Sequence, residues 1–162
     1  MRIERVDWTH PHAAALRARQ RAEIAERYGT PDSEPGVPPS ADDIAAFFVA
    51  YEPGGTAVGC GGLRHLGKED VDGAAEEAGE VKRMYVEPAW RGTGAARLVL
   101  SALEEWALEQ GWTLLRLETG DAQPDAVRFY TRCGYEPVQP FGAYVDAERS
   151  LCFARRLGPG QR

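Results

Sequence analysis

Cysteine is scarce in this chain: three in 162 residues, at Cys60, Cys133 and Cys152, with no CxxC pair among them. An odd, widely spaced set supports neither a disulfide framework nor a zinc site, so no metal is expected. It points instead to a reducing, cytoplasmic setting. Long apolar runs are missing too. No stretch is long and apolar enough to span a bilayer, which excludes a membrane-embedded reading. The opening MRIERVDWTH carries charge but no apolar run after it, so it does not read as a secretory signal. An excess of positive charge is also absent: 19 Lys and Arg stand against 25 Asp and Glu, for a net charge of −6. That balance excludes sequence-independent nucleic-acid binding, which needs a basic surface. It is compatible with an amine or cationic partner, although many acidic chains carry such charge for solubility alone. Internal repeats and a second-domain boundary are lacking, and residues 1–162 read as one domain large enough to bury a real core.

What is present is a succession of short periodic segments. The pattern predicts an edge strand over residues 3–8 and a helix over 9–28, started by Thr9 and Pro11. Residues 29–39, rich in Pro, Gly, Asp and Ser, read as a loop. Ser40 opens a second expected helix, with Asp42 and Asp43 in its first turn and Ile44, Phe47 and Phe48 on one face. Glu52-Pro53-Gly54-Gly55 marks a turn, and residues 56–66 read as one or two strands. Residues 67–79 hold Glu69, Asp70, Asp72, Glu76 and Glu77 and read as a solvated acidic loop. A strand follows over 81–86. The clearest helix covers 93–110, with Ala96, Val99, Leu103 and Trp106 on one face and Gly111 at its end. A strand over 113–119 leads to a helix over 124–133 with Pro124 in its first turn. Strands over 135–138 and 150–157 close the chain. This order describes a mixed sheet with helices packed on it.

The most informative stretch is the strand, proline turn and glycine-rich loop that lead into the 93–110 helix. Arg91-Gly92-Thr93-Gly94-Ala95-Ala96 lacks the GK[ST] ending of a nucleotide P-loop. It is also not a GxGxxG following an N-terminal strand. The pattern is R-x-x-G-x-A at the mouth of a helix, where the first turn leaves its N–H groups unpaired. Small residues let a ligand approach that backbone closely. The helix N-terminus favours an anion by roughly 0.3–1 kcal/mol per charge when exposed, and Arg91 adds a cation. The plain alternative is a strand–turn–helix connection with convenient glycines.

With that loop the chain resembles the GNAT superfamily of acyl-CoA-dependent N-acyltransferases. Arg91, Gly94 and Ala96 match its [Q/R]-x-x-G-x-[G/A] loop. Gln123, Ala126, Tyr130, Gly134 and Tyr135 echo its later N-x-x-A-x-x-x-Y-x-x-x-G-[F/Y] motif, with Gln123 replacing the usual Asn. The likeness is strong over residues 80–135 and weak before them. It implies an α/β fold: a mixed, mostly antiparallel central sheet with splayed strands and helices on both faces. It also implies acetyl-CoA as cosubstrate, with its pyrophosphate on the amides of Gly92, Thr93, Gly94, Ala95 and Ala96. The pantetheine arm would enter between the 81–86 strand, carrying Met84, Tyr85 and Val86, and the 113–118 strand. A backbone N–H near Met84 or Tyr85 would polarise the thioester carbonyl. The longer Gln123 amide would cap or contact the cofactor differently from Asn.

The implied reaction is direct attack of a primary amine on the thioester, without an acyl-enzyme, and it needs two proton movements. Tyr130, at the family's tyrosine position, is the candidate acid for the leaving thiolate; its alternative is a core Tyr at helical spacing. Glu80, at the start of the cofactor strand, is the preferred base, against a solvated strand-end Glu. Glu118 is the second choice, unless it pairs with Arg116 or Arg128. His10 and His12 suit capping, His65 the surface and Cys133 the core. Alternation lets only one of Lys82 and Arg83 share a face with Met84. Phe141, Tyr144 and Asp146 form an irregular aromatic stretch that either lines an amine pocket or covers the core. The expected acceptor is a small-molecule amine. A peptide N-acetyltransferase and a non-catalytic acyl-CoA-binding module are the alternatives, and the resemblance leaves a homodimer open.

Overall fold

The computed structural model describes residues 1–31, 34–71 and 73–158. The chain runs β1 (Arg2–Arg5), α1 (Pro11–Tyr28), β2 (Ile44–Tyr51), β3 (Ala57–Val71), β4 (Ala74–Val86), α2 (Ala95–Glu109), β5 (Leu114–Gly120), α3 (Pro124–Arg132), β6 (Glu136–Val138) and β7 (Ser150–Arg156). Short 3-10 turns lie at Pro88–Trp90 and Gly142–Tyr144. The seven strands form one sheet in the order β1-β2-β3-β4-β5-β7-β6. Every pairing is antiparallel except that of β4 with β5.

That parallel pair is brief. Ala78 opposes Leu114, Gly79 opposes Leu115 and Glu80 opposes Arg116, and there the ladder stops. Beyond it β4 continues to Val86 and β5 to Gly120 without pairing to each other. The sheet therefore splits at its centre into a cleft with a free backbone edge on each side. Close approach at the apex depends on Gly79, where a Cβ would meet the Trp112 ring at 2.7 Å.

Alternation along the strands supplies both faces. Phe47, Val49 and Tyr51 of β2 pack with Ala13 and Leu16 of α1 on one side. Ala50, Leu63, Val81, Leu115 and Leu117 pack with Val99, Leu100 and Leu103 of α2 and Tyr130 of α3 on the other. Helices thus cover both faces, as expected. Helix α1 starts two residues later than predicted. His10 is its N-cap, with Nδ1 accepting from the His12 N–H at 3.1 Å, and Pro11 sits in the first turn. Cap and Pro leave Thr9 outside the helix.

Two predicted segments fold otherwise. The helix expected from Ser40 is strand β2. Ser40 and Asp43 instead close a turn, in which Asp43 Oδ1 accepts from the Ser40 N–H at 2.7 Å. Ile-Ala-Ala-Phe-Phe-Val-Ala-Tyr is a continuous apolar run, which periodicity alone does not assign, and its aromatic and β-branched residues favour a two-sided buried strand. The acidic loop over 67–79 is the far half of a long hairpin, β3 with β4. Gly73, just before β4, has φ +85°; Asp72 lies outside the described residues. Glu69 and Glu76 face each other across the hairpin, and cations relieve the repulsion: Arg116 approaches Glu69 at 3.7 Å and Arg156 approaches Glu76 at 2.9 Å.

Leu103, fully buried between α2 and the sheet, gives the test of this core. Leu103→Ala should destabilise the fold by about 2–5 kcal/mol, read by chemical denaturation; a loss well below that range would mean that α2 does not anchor the sheet.

Candidate active site

The cleft is built from residues that the open ladder exposes. At its wide end, Gly92 and Gly94 have φ of +79° and +93°, and Gly94 is the N-cap of α2. A Cβ at either would be strained in this left-handed region. The first helical bond runs from the Leu98 N–H to the Gly94 carbonyl. Among the described residues, no protein acceptor takes a hydrogen bond from the N–H groups of Gly92, Thr93, Gly94, Ala95 or Ala96. Thr93 Oγ1 donates back to the Trp90 carbonyl at 2.5 Å, which tightens the turn. Arg91 is held rather than loose. Its Nε donates to the Val86 carbonyl at 2.9 Å, and Nη2 pairs with Glu23 at 2.7 Å, tying the loop to β4 and α1.

From this turn a groove of about 630 Å³ runs inward past Met84, Tyr85, Val86, Ala96 and Gln123 to Tyr130. Arg27, Arg97, Arg128 and Arg132 also line it. Thr93 and Ala95 do not line the groove; Ala95 is buried in the core and offers only its backbone. Gln123 is the N-cap residue of α3, but its side chain makes no capping bond and borders the groove. Gln20 Nε2 donates to the Met84 carbonyl at 2.8 Å and fixes that peptide at the groove wall.

A second cavity, about 130 Å³, shares Met84, Gln123, Ala126 and Tyr130 with the groove. It adds Glu34, Lys82, Arg83 and Glu118. Tyr130 therefore stands at the junction. Its ring packs edge-on against Phe129 and Tyr135, and its hydroxyl makes no hydrogen bond among the described residues. Burial drives its pKa well above that of a free tyrosine.

Both predicted carboxylates come to this centre, in different surroundings. Glu118 borders the cavity and accepts from Ser150 Oγ at 2.6 Å. It pairs with neither Arg116 nor Arg128: the first approaches Glu69 and lies over the Phe141 ring, and the second pairs with Asp125. Glu80 is no solvated strand end. It is 3% exposed, beneath Tyr144, whose hydroxyl donates to Oε2 at 2.7 Å, with Lys82 Nζ at 3.5 Å and Arg64 Nη1 at 3.7 Å. Burial raises both carboxyl pKa values; the hydrogen bonds from Tyr144 and Ser150 oppose the rise.

The alternation expected at Lys82 and Arg83 breaks. Gly62 opposes Lys82 and Cys60 opposes Tyr85, so β4 carries an extra residue there, and Arg83 has φ +57°. This bulge turns both cations into the same cavity. Burial, reinforced by Arg83, pulls the Lys82 pKa down to about 8. Of the 141–146 stretch only Tyr144 enters the site; Phe141 packs under Arg116, and Asp146 is exposed. His65 stacks on Trp112 at 4.6 Å and borders neither cavity, and His12 bonds Tyr51 at 2.9 Å. Cys133 is buried, as expected, but also borders the groove and accepts from Arg97 at 3.3 Å. Glu34 and Arg64 were invisible to sequence reasoning, because neither belongs to a motif and both arrive by tertiary folding. Among the described residues, no group of three metal-ligating side chains converges.

Unpaired amides at a helix mouth, a groove beside parted strands and buried titratable groups where it meets the smaller cavity make up the candidate site. The chain belongs to the Acetyltransferase (GNAT) family, whose model matches residues 8–135. It is 37% identical over 110 residues to an IAA acetyltransferase of Azospirillum brasilense, covering 68% of this chain and 67% of that one. It is 29% identical over 120 residues to an aminoglycoside N(6')-acetyltransferase type 1 of Stenotrophomonas maltophilia, covering 74% and 72%. A crystal structure from Klebsiella pneumoniae, assigned as an acyl-CoA N-acyltransferase, superposes with a TM-score of 0.76 at 30% identity and 97% coverage of both chains. The protein is thus an N-acetyltransferase, an acyltransferase acting on an amine.

Proposed function

We propose that the chain is a single GNAT-type domain that transfers acetyl from acetyl-CoA to a primary amine of a small molecule, within a ternary complex. The observation that carries this reading is the row of unpaired amides at the mouth of α2, opening on a groove that ends at Tyr130. Gly92 to Ala96 would hold the pyrophosphate, with the groove arginines adding positive charge. Met84, Tyr85 and Val86 would line the pantetheine arm along the free edge of β4, with a backbone N–H near Met84 or Tyr85 toward the carbonyl oxygen. Gln123 would contact the cofactor from the opposite wall.

When bound, acetyl-CoA supplies a thioester that the amine attacks directly: an N–C bond forms, and the C–S bond breaks with its electron pair going to sulfur. The protein moves the protons. Tyr130, protonated at neutral pH like any phenol, delivers its proton to the departing sulfur. Glu118 borders the acceptor cavity and takes the amine proton directly; Glu80 is the second base, reached through Tyr144. A cavity of about 130 Å³ favours a small acceptor over a folded polypeptide, and the aminoglycoside in one relative's name is also a small molecule.

Tyr130→Phe should lower kcat by roughly 10²–10⁴-fold, the usual contribution of a positioned acid, with little change in acetyl-CoA affinity; unchanged turnover would remove Tyr130 from the mechanism. Gly94→Val should weaken CoA binding at least about tenfold in titration calorimetry. Intact affinity would mean that the loop is not the cradle. The base must be deprotonated to act, so kcat/KM should rise with pH, and burial displaces that limb above the ordinary carboxylate range. Ser150→Ala removes a bond that favours ionised Glu118 and should move the limb to higher pH. A limb that moves with Tyr144→Phe instead would assign the base to Glu80.

A further inference from the structure

Lys82 and Arg83 follow one another in β4, yet both reach the acceptor cavity, because the bulge holds Arg83 at φ +57°. A non-glycine residue keeps such a conformation only where its surroundings impose it, and such positions gather at functional sites. The result is a pair of cations on a rigid strand, aimed at one point. Lys82 is 6% exposed and so has little water to screen it. Tyr144 completes the seat from the other side, its hydroxyl accepting from Lys82 Nζ at 3.0 Å.

The occupant of this seat is the carboxylate of Glu34. Oε1 takes a hydrogen bond from Lys82 Nζ and lies 3.3 Å from Tyr144 Oη, while Oε2 meets Arg83 Nη1 at 2.5 Å. Seat and occupant differ in origin. The cations belong to a strand hydrogen-bonded within the sheet, whereas Glu34 comes from the irregular segment between α1 and β2. The Glu34 side chain forms part of the wall of the same cavity that Glu118, Gln123 and Tyr130 border. With Glu34 seated, Lys82 and Arg83 face two carboxylates, those of Glu34 and of Glu80, which lies 3.5 Å from Lys82 Nζ. Without it, Glu80 alone stands beside the two cations, and the cavity is lined by Lys82, Arg83 and Glu118, a set of charges complementary to a molecule with both a carboxylate and an amine.

We propose that the acceptor is an amino acid or a close analogue, and that its carboxylate displaces Glu34 from Lys82, Arg83 and Tyr144 while its amine faces Glu118 and Tyr130. This rests on the acetyl-transfer reading above and names the substrate class of that same site. Glu34 is then an internal stand-in that, with Glu80, neutralises the seat between turnovers, and its departure adds the volume of its side chain to the cavity. A polycationic acceptor fits poorly, because it would bring further positive charge to the two cations.

The test compares matched acceptors on the full chain with acetyl-CoA, following thiol release. Glycine, alanine, methionine and phenylalanine are set against their carboxamides, with spermidine as the polycation. Each acid should exceed its amide by roughly tenfold or more in kcat/KM, mainly through KM, since the neutral amide cannot displace Glu34 from the cations. The amide's amine is the less basic of the two, so an advantage for the acid does not arise from amine ionisation. Arg83→Met should collapse the acid-to-amide ratio, and Glu34→Gln should lower KM for the acids by weakening the internal competitor. Amides that match or outrun their acids in the unmodified protein would overturn the proposal without any variant. So would an acid-to-amide ratio that survives Arg83→Met. Preference for spermidine, lost in Glu34→Gln, would make Glu34 a partner for substrate cations and overturn it as well, while leaving acetyl transfer intact. Absence of thiol release with every acceptor would remove the acetyl-transfer reading, and this proposal with it.

Discussion

The parting of β4 from β5 after three residue pairs is the constraint on which the site depends. A continuous parallel ladder would satisfy both strands and leave no room between them. Here β5 keeps its partner β7 along its whole length, and β4 keeps β3, so each arm remains anchored on its outer side. The inner edges have no strand partner; Gln20 and Arg91 take the Met84 and Val86 carbonyls on the β4 side. The bulge at Arg83, on the free stretch of β4, twists that arm further and redirects its side chains.

Around the apex of this split the protein gathers charge where a core usually excludes it. Glu80 and Lys82 are both nearly inaccessible, and Glu118, Arg64, Arg83 and Glu34 surround them. Ions so removed from water persist only because each has a partner of opposite sign or a hydrogen bond. The arrangement makes the carboxyl groups weaker acids and the Lys82 ammonium a stronger one, with its pKa near 8. Groups tuned in opposite directions inside one cavity are what proton transfer near neutral pH needs.

Legibility in the sequence followed the locality of the signal. Helix α2 and its loop were readable because glycine spacing, helix capping and a 3.6-residue period all lie within some twenty residues of each other. Tyr130, Gln123 and Glu118 followed from short motifs and strand alternation. The 44–51 run reads as a helix in sequence but folds as a strand, because an unbroken apolar segment has no period to distinguish a strand buried on both faces from a helix. The 67–79 hairpin was hidden by its acidic residues, whose repulsion is relieved by Arg116 and Arg156, arginines 40 or more positions away.

By itself the sequence determined the anion-ready turn, the helix behind it and the residue types available for acid–base work, since these need only near neighbours on the chain. Tertiary structure alone decided that the two central strands separate, that Glu80 lies buried under Tyr144 while Glu118 meets the cavity, and that Glu34 fills the seat formed by Lys82 and Arg83. Burial and ion pairing depend on which distant segments meet in space, and no local spacing of residues encodes that meeting.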